Sequence, residues 1–222
     1  MLLNHVLQQF DRSEYLPFVL AQINNLEKKT VNETIGTSLS GLALAHKDTQ
    51  LIPYLSVHPA DLARCWATYT IGRNEALSTG EKLAQIKIFA ADEHFGVREI
   101  AWMAVRPHIT RHLTESIGIL HQWTASPDDN IRRFASEATR PRGVWCAHIE
   151  ALKEHPEQAI SILEPLHTDP AKYVQDSVGN WLNDASKTQP QFVRDLCAAW
   201  AQKSNTKQTL NIIKRAMRTI EK

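Results

Sequence analysis

Arg132, Arg133, Arg140 and Arg142 place four guanidiniums within eleven residues, around a single acid, Glu137. The chain as a whole is nearly neutral, with a formal net charge of +1. Such local density therefore points to an anionic ligand gathered at one place, and the planar guanidinium fork matches phosphate well. Trp145 follows closely, and Asn180, Asn183 and Asp184 form a second polar group further on. Each residue also has a plainer reading. Glu137 stands four residues after Arg133, which on a helix makes an ordinary ion pair worth only about 0.2–0.5 kcal/mol. Arg106 and Arg140 each precede a proline, where an arginine serves equally well to bond the carbonyls at a helix end. The stretch from Lys203 to Lys222 carries six Lys or Arg against Glu221 alone. It reads first as a solvated helix face and second as a phosphate track.

A repeat positions these residues. Val97-Arg98-Glu99-Ile100-Ala101-Trp102-Met103-Ala104-Val105-Arg106-Pro107 aligns with Ile131-Arg132-Arg133-Phe134-Ala135-Ser136-Glu137-Ala138-Thr139-Arg140-Pro141. The two share a leading β-branched residue, the next Arg, two alanines and the closing Arg-Pro. A third copy starts at Val174, a weaker one at Leu210, and a weaker one still at Leu62. Their leading residues are 34 to 43 positions apart. Helix-pair repeats of the HEAT, armadillo and TPR kinds recur at roughly 34–47 residues. Before the three clear copies stand Ala91-Asp92-Glu93-His94, Ser126-Pro127-Asp128-Asp129-Asn130 and Thr168-Asp169-Pro170, whose Asp, Asn and Ser side chains suit helix N-caps. Each unit thus reads as loop, cap and inner helix. Outer helices are expected over 112–123, 158–166 and 192–201, where apolar residues recur at helical intervals. Equivalent positions of successive inner helices would line the concave face of such a solenoid.

The first half is less regular. Leu16-Pro17 interrupts any helix there, and the polar stretch from Glu33 to Ser40 reads as a loop. The expectation is one all-α helical-repeat domain over 1–222, with capping helices to about residue 60 and HEAT-like repeats from about residue 61. Glycine is scarce, at 8 residues, in keeping with helix.

Several classes of function find no support. No apolar run of about 18 residues exists to span a membrane. The opening Met1-Leu2-Leu3-Asn4-His5 lacks the marks of a signal peptide. Cys65, Cys146 and Cys197 form no C-x-x-C pair, which suits small buried apolar groups in a reducing cytoplasm. His108 and His112 are four apart without a third ligand nearby, so no metal site is expected. Neither G-x-x-x-x-G-K-S/T nor G-x-S-x-G occurs.

The segment Arg132 to Arg142 with Trp145, followed by Asp169-Pro170 and Tyr173-Val174-Gln175-Asp176-Ser177-Val178 with Asn180 and Leu182-Asn183-Asp184, resembles the DNA alkylation-repair glycosylases of the AlkC/AlkD superfamily. The AlkC-like branch is the closer match, over roughly residues 85 to 195. The resemblance implies an α-α superhelix of HEAT-like repeats holding double-stranded DNA on a basic concave face. It further implies excision of cationic alkylated bases of the 3-methyladenine and 7-methylguanine type, by a monomer that uses no metal and no cofactor. By matching position, Asp184 and Glu137 become the candidate catalytic carboxylates, with Asp184 the better placed to activate water and stabilise the sugar. Arg133 would orient Glu137 or hold a phosphate, and Trp145 would pack on the lesion or deoxyribose. Trp102, Arg132, Arg140, Arg142, Asn180 and Arg106 complete the candidate substrate and DNA contacts. One position departs from the AlkC-like pattern, which carries a further acid where this chain has Trp102. That change could lower activity, alter the lesion accepted, leave a DNA binder that no longer cuts, or supply an aromatic wall. A non-catalytic DNA-binding homologue and a protein-interaction solenoid are the competing readings.

Overall fold

The computed structural model describes residues 2–24 and 30–221; Lys222 of the basic C-terminal stretch lies outside them. Among the described residues all regular structure is helical. The chain divides into two compact units, Met1–His108 and Ile109–Lys222, and the division falls near the end of a helix.

The first unit begins with α1 (Leu2–Gln9), a short 3₁₀ turn over Ser13–Tyr15, and α2 (Leu16–Ile23). Pro17 starts α2 rather than breaking it, since its missing N–H costs nothing in a first turn. Next come α3 (Val31–His46), α4 (Leu51–Ser56), α5 (Asp61–Gly72), α6 (Thr79–Ala90) and α7 (Phe95–Arg111). Ser78 and Glu81 form a reciprocal capping box at the start of α6. Helix α7 continues through Pro107, so Arg106 lies inside a helix and not at its end.

Glu33 to Ser40, expected as a loop, lies wholly within α3, which Thr30 caps by accepting from the Glu33 amide. The small polar residues permit close packing instead of a turn. Thr34, Gly36, Ser38 and Ser40 are buried, and α3 packs along α5. A Cβ added at Gly36 would sit 2.3 Å from the Tyr69 Cβ and 2.8 Å from the Trp66 carbonyl oxygen. Gly36→Ala is therefore expected to destabilise the first unit by about 1–3 kcal/mol. Gly41→Ala on the same helix meets nothing within 4 Å and should be neutral or stabilising. Thermal melts of the two variants side by side check this, and equal midpoints would refute the close contact.

The second unit contains α8 (Leu113–Trp123), α9 (Asp129–Glu137), α10 (Glu150–Glu154), α11 (Ile160–Leu163), α12 (Lys172–Ala185), α13 (Pro190–Lys203) and α14 (Lys207–Met217). The outer helices expected over 112–123 and 192–201 correspond to α8 and α13. Over 158–166 the helix is broken. Only α11 is α-helical there, between 3₁₀ turns over Pro156–Ala159 and Glu164–Leu166. Pro165 has no N–H to donate to the Ser161 carbonyl, which meets His121 Nδ1 at 2.7 Å instead. Leu163 and Leu166 are buried all the same. The core gathers Phe134, Leu152, Val174, Trp181, Trp200 and Ile212, with the Trp123 ring 5.2 Å from that of Phe134.

The repeated Arg at the start of the inner helices has a constant structural task. Arg64 donates through Nη1 to the carbonyls of His58 and Pro59, and its Nε and Nη2 grip Asp92 at 2.7 and 3.0 Å. Arg132 repeats the pattern, bonding the Ser126 and Pro127 carbonyls and gripping Asp169 at 2.6 and 3.0 Å. Arg98 likewise donates to the Asp92 and Glu93 carbonyls. Arg12 and Asp48 form a related pair at 2.7 Å. The acids turn their own loops as well, Asp92 and Asp169 each accepting an amide two residues ahead. Of the expected N-caps, Asp128 caps its helix with its side chain, accepting from the Asn130 and Ile131 amides ahead of α9. Residue 171, the cap of α12, is alanine.

Candidate functional site

Helices α9 and α12 lie side by side in the second unit. Glu137 ends α9 and Asp184 comes in the last turn of α12, so each carboxylate is carried on rigid backbone. Between them the chain leaves α9 through Ala138 and Thr139. The buried Trp181 indole fastens that exit by donating to the Thr139 carbonyl at 3.0 Å. Arg140 stands at the start of the following loop, whose base is closed by the Ile149 amide on the Pro141 carbonyl.

Arg140 bridges the two acids. Its Nη1 donates to Glu137 Oε1 at 2.8 Å, while Nε and Nη2 donate to Asp184 Oδ2 at 2.9 and 2.7 Å. The second Glu137 oxygen accepts from the Ser177 hydroxyl at 2.7 Å, and Ser177 in turn is 2.8 Å from the Ser136 hydroxyl. Arg133 lies 3.6 Å from the same oxygen, its guanidinium stacked 4.1 Å over the Tyr173 ring. The second Asp184 oxygen meets Lys187 at 3.2 Å, and the Asp184 carbonyl accepts from Arg142 Nε at 3.3 Å. Glu137 and Asp184 are 5% and 4% exposed, so both carboxylates are largely shielded from bulk water, with the half-exposed Lys187 at the edge. Burial by itself would lower the Arg140 pKa. The charges of Glu137 and Asp184, with their hydrogen bonds, outweigh it and hold the guanidinium above its ordinary value.

The expected residues thus separate into two groups. Glu137, Asp184, Arg133, Arg140 and Arg142 are brought together in one network. Arg132 is not part of it, because the Asp169 clasp and the Ser126 and Pro127 carbonyls take up its donors. Trp145 projects from the loop at 84% exposure, packed on neither carboxylate. Asn180 stands within 3.5 Å of Arg215. In the first unit, Trp102 is buried and donates to Glu99 at 3.1 Å, and Arg106 is 2% exposed, too deep for a surface phosphate contact. Ser136, Ser177, Lys187 and Tyr173 carry no role in the sequence reading. Ser136 and Ser177 meet across 41 positions, and no local spacing signals such a pair. Burial pushes the Cys65 and Cys197 thiols up, to about 12 and about 11, which makes poor nucleophiles of them.

Residues 97–220 match the family model described as DNA alkylation repair enzyme, which is more than half of the chain. The chain belongs to the DNA alkylation repair enzyme family. A Bacillus subtilis (strain 168) relative, the uncharacterized protein YhaZ, is 38% identical over 130 residues, covering 59% of this chain and 36% of that protein. Among solved structures, the Pseudomonas fluorescens alkylpurine DNA glycosylase AlkC, bound to DNA containing an abasic site analog, superposes with a TM-score of 0.77 at 23% identity. That match covers 99% of this chain and 60% of AlkC, so the chain spans about a third of the one relative and under two thirds of the other. AlkD2 from Streptococcus mutans gives a TM-score of 0.64 at 21% identity, over 92% of this chain and 98% of AlkD2. Similarity at this level establishes the family fold of helical repeats, and AlkC is the nearer of these two in shape. Both α9 and α12, with the Glu137–Arg140–Asp184 network, lie inside the family-matched segment.

Proposed function

We propose that this family member is a DNA glycosylase that hydrolyses the N-glycosidic bond of cationic alkylated bases, such as 3-methyladenine and 7-methylguanine, in duplex DNA. The observation that carries the reading is the pair of buried carboxylates, Glu137 and Asp184, fixed on two helices by one guanidinium. A base with a fixed positive charge is already a good leaving group. When the bond to C1′ breaks, its electron pair returns to the ring and neutralises it, so no metal or strong general acid is required. What remains is to stabilise the oxocarbenium character of the sugar and to place a water.

Asp184 suits that task through one of its oxygens. Oδ2 is taken by Arg140, but among the described residues Oδ1 meets Lys187 alone, whose side chain is 43% exposed and free to swing into solvent. Movement of that flexible stem bares an anionic oxygen that accepts the water's proton as its oxygen bonds C1′. Glu137, held by Arg140 and Ser177, fixes the position of the guanidinium and so of Asp184.

A second reading, a DNA binder that does not cut, is favoured by a specific observation. The cations around the two acids (Arg133, Arg140, Arg142 and Lys187) outnumber them, and Trp102 is buried where the AlkC-like pattern carries an acid. The two readings part in a base-release assay on methylated genomic DNA, with the freed bases identified by mass. Release of 3-methyladenine or 7-methylguanine well above the protein-free rate is expected. If neither base appears above that rate while duplex binding persists and weakens steeply with salt, the non-catalytic reading stands in its place.

A further inference from the structure

In the first unit, the connection from α4 to α5 is built around one buried imidazole. His58 is 7% exposed, and both of its ring nitrogens are engaged. The Ala60 amide reaches Nδ1 at 3.0 Å, and a backbone N–H can only donate, so Nδ1 must accept. The proton of the neutral ring therefore sits on Nε2, which donates to Gln9 Oε1 at 3.2 Å. Gln9 in turn donates from its own Nε2 to His5 Nε2 at 3.0 Å. A single amide thus sets the direction of every bond in a chain running from the α4–α5 connection to α1. The Phe10 ring, stacked 4.2 Å from Tyr54, closes over the same end of α1.

A proton on Nδ1 breaks this chain. Nδ1–H would face the Ala60 N–H, two donors with no acceptor between them, so the ring has to turn and Gln9 loses its partner. The surroundings give the new charge little support. Tyr54 of α4 meets the ring edge-on at 5.7 Å, His5 and Gln9 come from α1, and Arg64 of α5 brings a positive charge of its own. No carboxylate bonds His58 among the described residues, and Asp92 is already matched to Arg64. Burial pushes the His58 pKa below its ordinary value of 6.5. The Ala60 main chain offsets part of that fall, and the charges of His5 and Arg64 add to it. The unfolded chain therefore binds this proton more tightly than the folded one. What His58 contributes to stability is complete above about pH 6.5 and is lost as the pH falls below it.

We propose that His58 is an acid-sensitive latch, which pins the end of α1 to the α4–α5 connection when neutral and lets go when it takes up a proton. The His58 carbonyl also accepts from Arg64 Nη1 at 2.9 Å, so release loosens one bond of the Arg64 clasp as well. The latch lies within the first unit and does not depend on the chemistry proposed for the second. Leu3, Val6 and Leu7 anchor the body of α1, which confines the opening to its end. There the Phe10 and Arg12 amides bond back to the Val6 and Leu7 carbonyls at 3.3 and 2.8 Å. Amide exchange of the full chain, expressed as protection factors, tests this between about pH 7.5 and about pH 5, where histidine titrates. Protection of Phe10 and Arg12 is expected to fall about tenfold over that range, the worth of one pKa unit. In His58→Asn, Oδ1 can still accept from the Ala60 amide but has no proton to titrate. Protection in that variant should not change with pH, whatever its level. The His58 ring's own titration, followed by NMR in the wild type, should have its midpoint below 6.5 and coincide with the loss of protection. An equal fall in both proteins would assign the effect to another histidine and overturn the latch. So would an unchanging profile in the wild type, or a fall spread evenly over the whole first unit. If His58→Asn does not fold, the ring titration still decides: a midpoint at or above 6.5, or one apart from the exchange transition, overturns the proposal.

Discussion

Asp184→Asn is expected to lower single-turnover release of 3-methyladenine by about 10²- to 10⁴-fold, the usual worth of a positioned acid–base group. The substitution changes little in volume. The oxygen of the new amide can still accept from Arg140, but its NH₂ group would then face Lys187 and cannot take a proton from water. The loss should therefore fall on the chemical step and leave duplex affinity within about threefold, because the removed charge is buried and would if anything repel phosphate. Some stability is also lost, of the order of 1–3 kcal/mol, as a charge-assisted bond becomes a neutral one. Base release should accordingly be measured well below the variant's own melting range. Full activity in a folded Asp184→Asn variant would remove this carboxylate from the mechanism.

The largest effect on stability is expected at Arg140. Its guanidinium is the shared counter-charge of two carboxylates that are 5% and 4% exposed. Arg140→Met keeps much of the aliphatic bulk but leaves two buried anions facing each other. Breaking a buried pair in this way costs about 3–5 kcal/mol. For a chain of this size, about 2–4 °C of melting temperature per kcal/mol makes that a fall of roughly 6–20 °C. The deficit should shrink as the solution is acidified, because protonating either carboxylate removes the uncompensated charge. Arg140→Lys retains the charge without the fork that spans both acids, and should fall between the two. A difference of less than about 1 kcal/mol between Arg140→Met and the wild type would mean that water already screens the acids.

These outcomes turn on one long-range contact, and that contact marks the limit of what could be read from the chain. The repeat was legible because the copies opening at Val97 and Ile131 carry an Arg, two alanines and a closing Arg-Pro in the same register, and periodicity of that sort survives in one dimension. The Arg133–Glu137 pairing was legible too, being four residues apart on a helix. Arg140 was readable only as a helix-end cation or a ligand contact. Its bond to Asp184 spans 44 positions, and nothing in the local sequence indicates it. Arg132 was misleading for the opposite reason: among four clustered arginines its type matched the others, while its repeat position gave it to Asp169. The α3 helix was hidden by composition. Thr34, Gly36, Ser38 and Ser40 look like loop residues because small polar groups favour turns when water is the alternative, and here the alternative is a neighbouring helix. Trp145 was given to the lesion or deoxyribose by resemblance, and its 84% exposure could not be read from residue type.

The Arg–Asp clasp has a consequence for how such arrays change length. In both Arg64–Asp92 and Arg132–Asp169, the arginine belongs to one unit and the aspartate to the loop that introduces the next. Each of these two junctions thus joins a plug on one unit to a socket on the next, with the same chemistry at both. A duplicated unit that carried both parts would be compatible with such neighbours from the moment it arose. A substitution in one plug, by contrast, loosens a junction and not a single helix. Amide protons on both sides of it are then expected to exchange faster together, so that damage spreads along the array by joints.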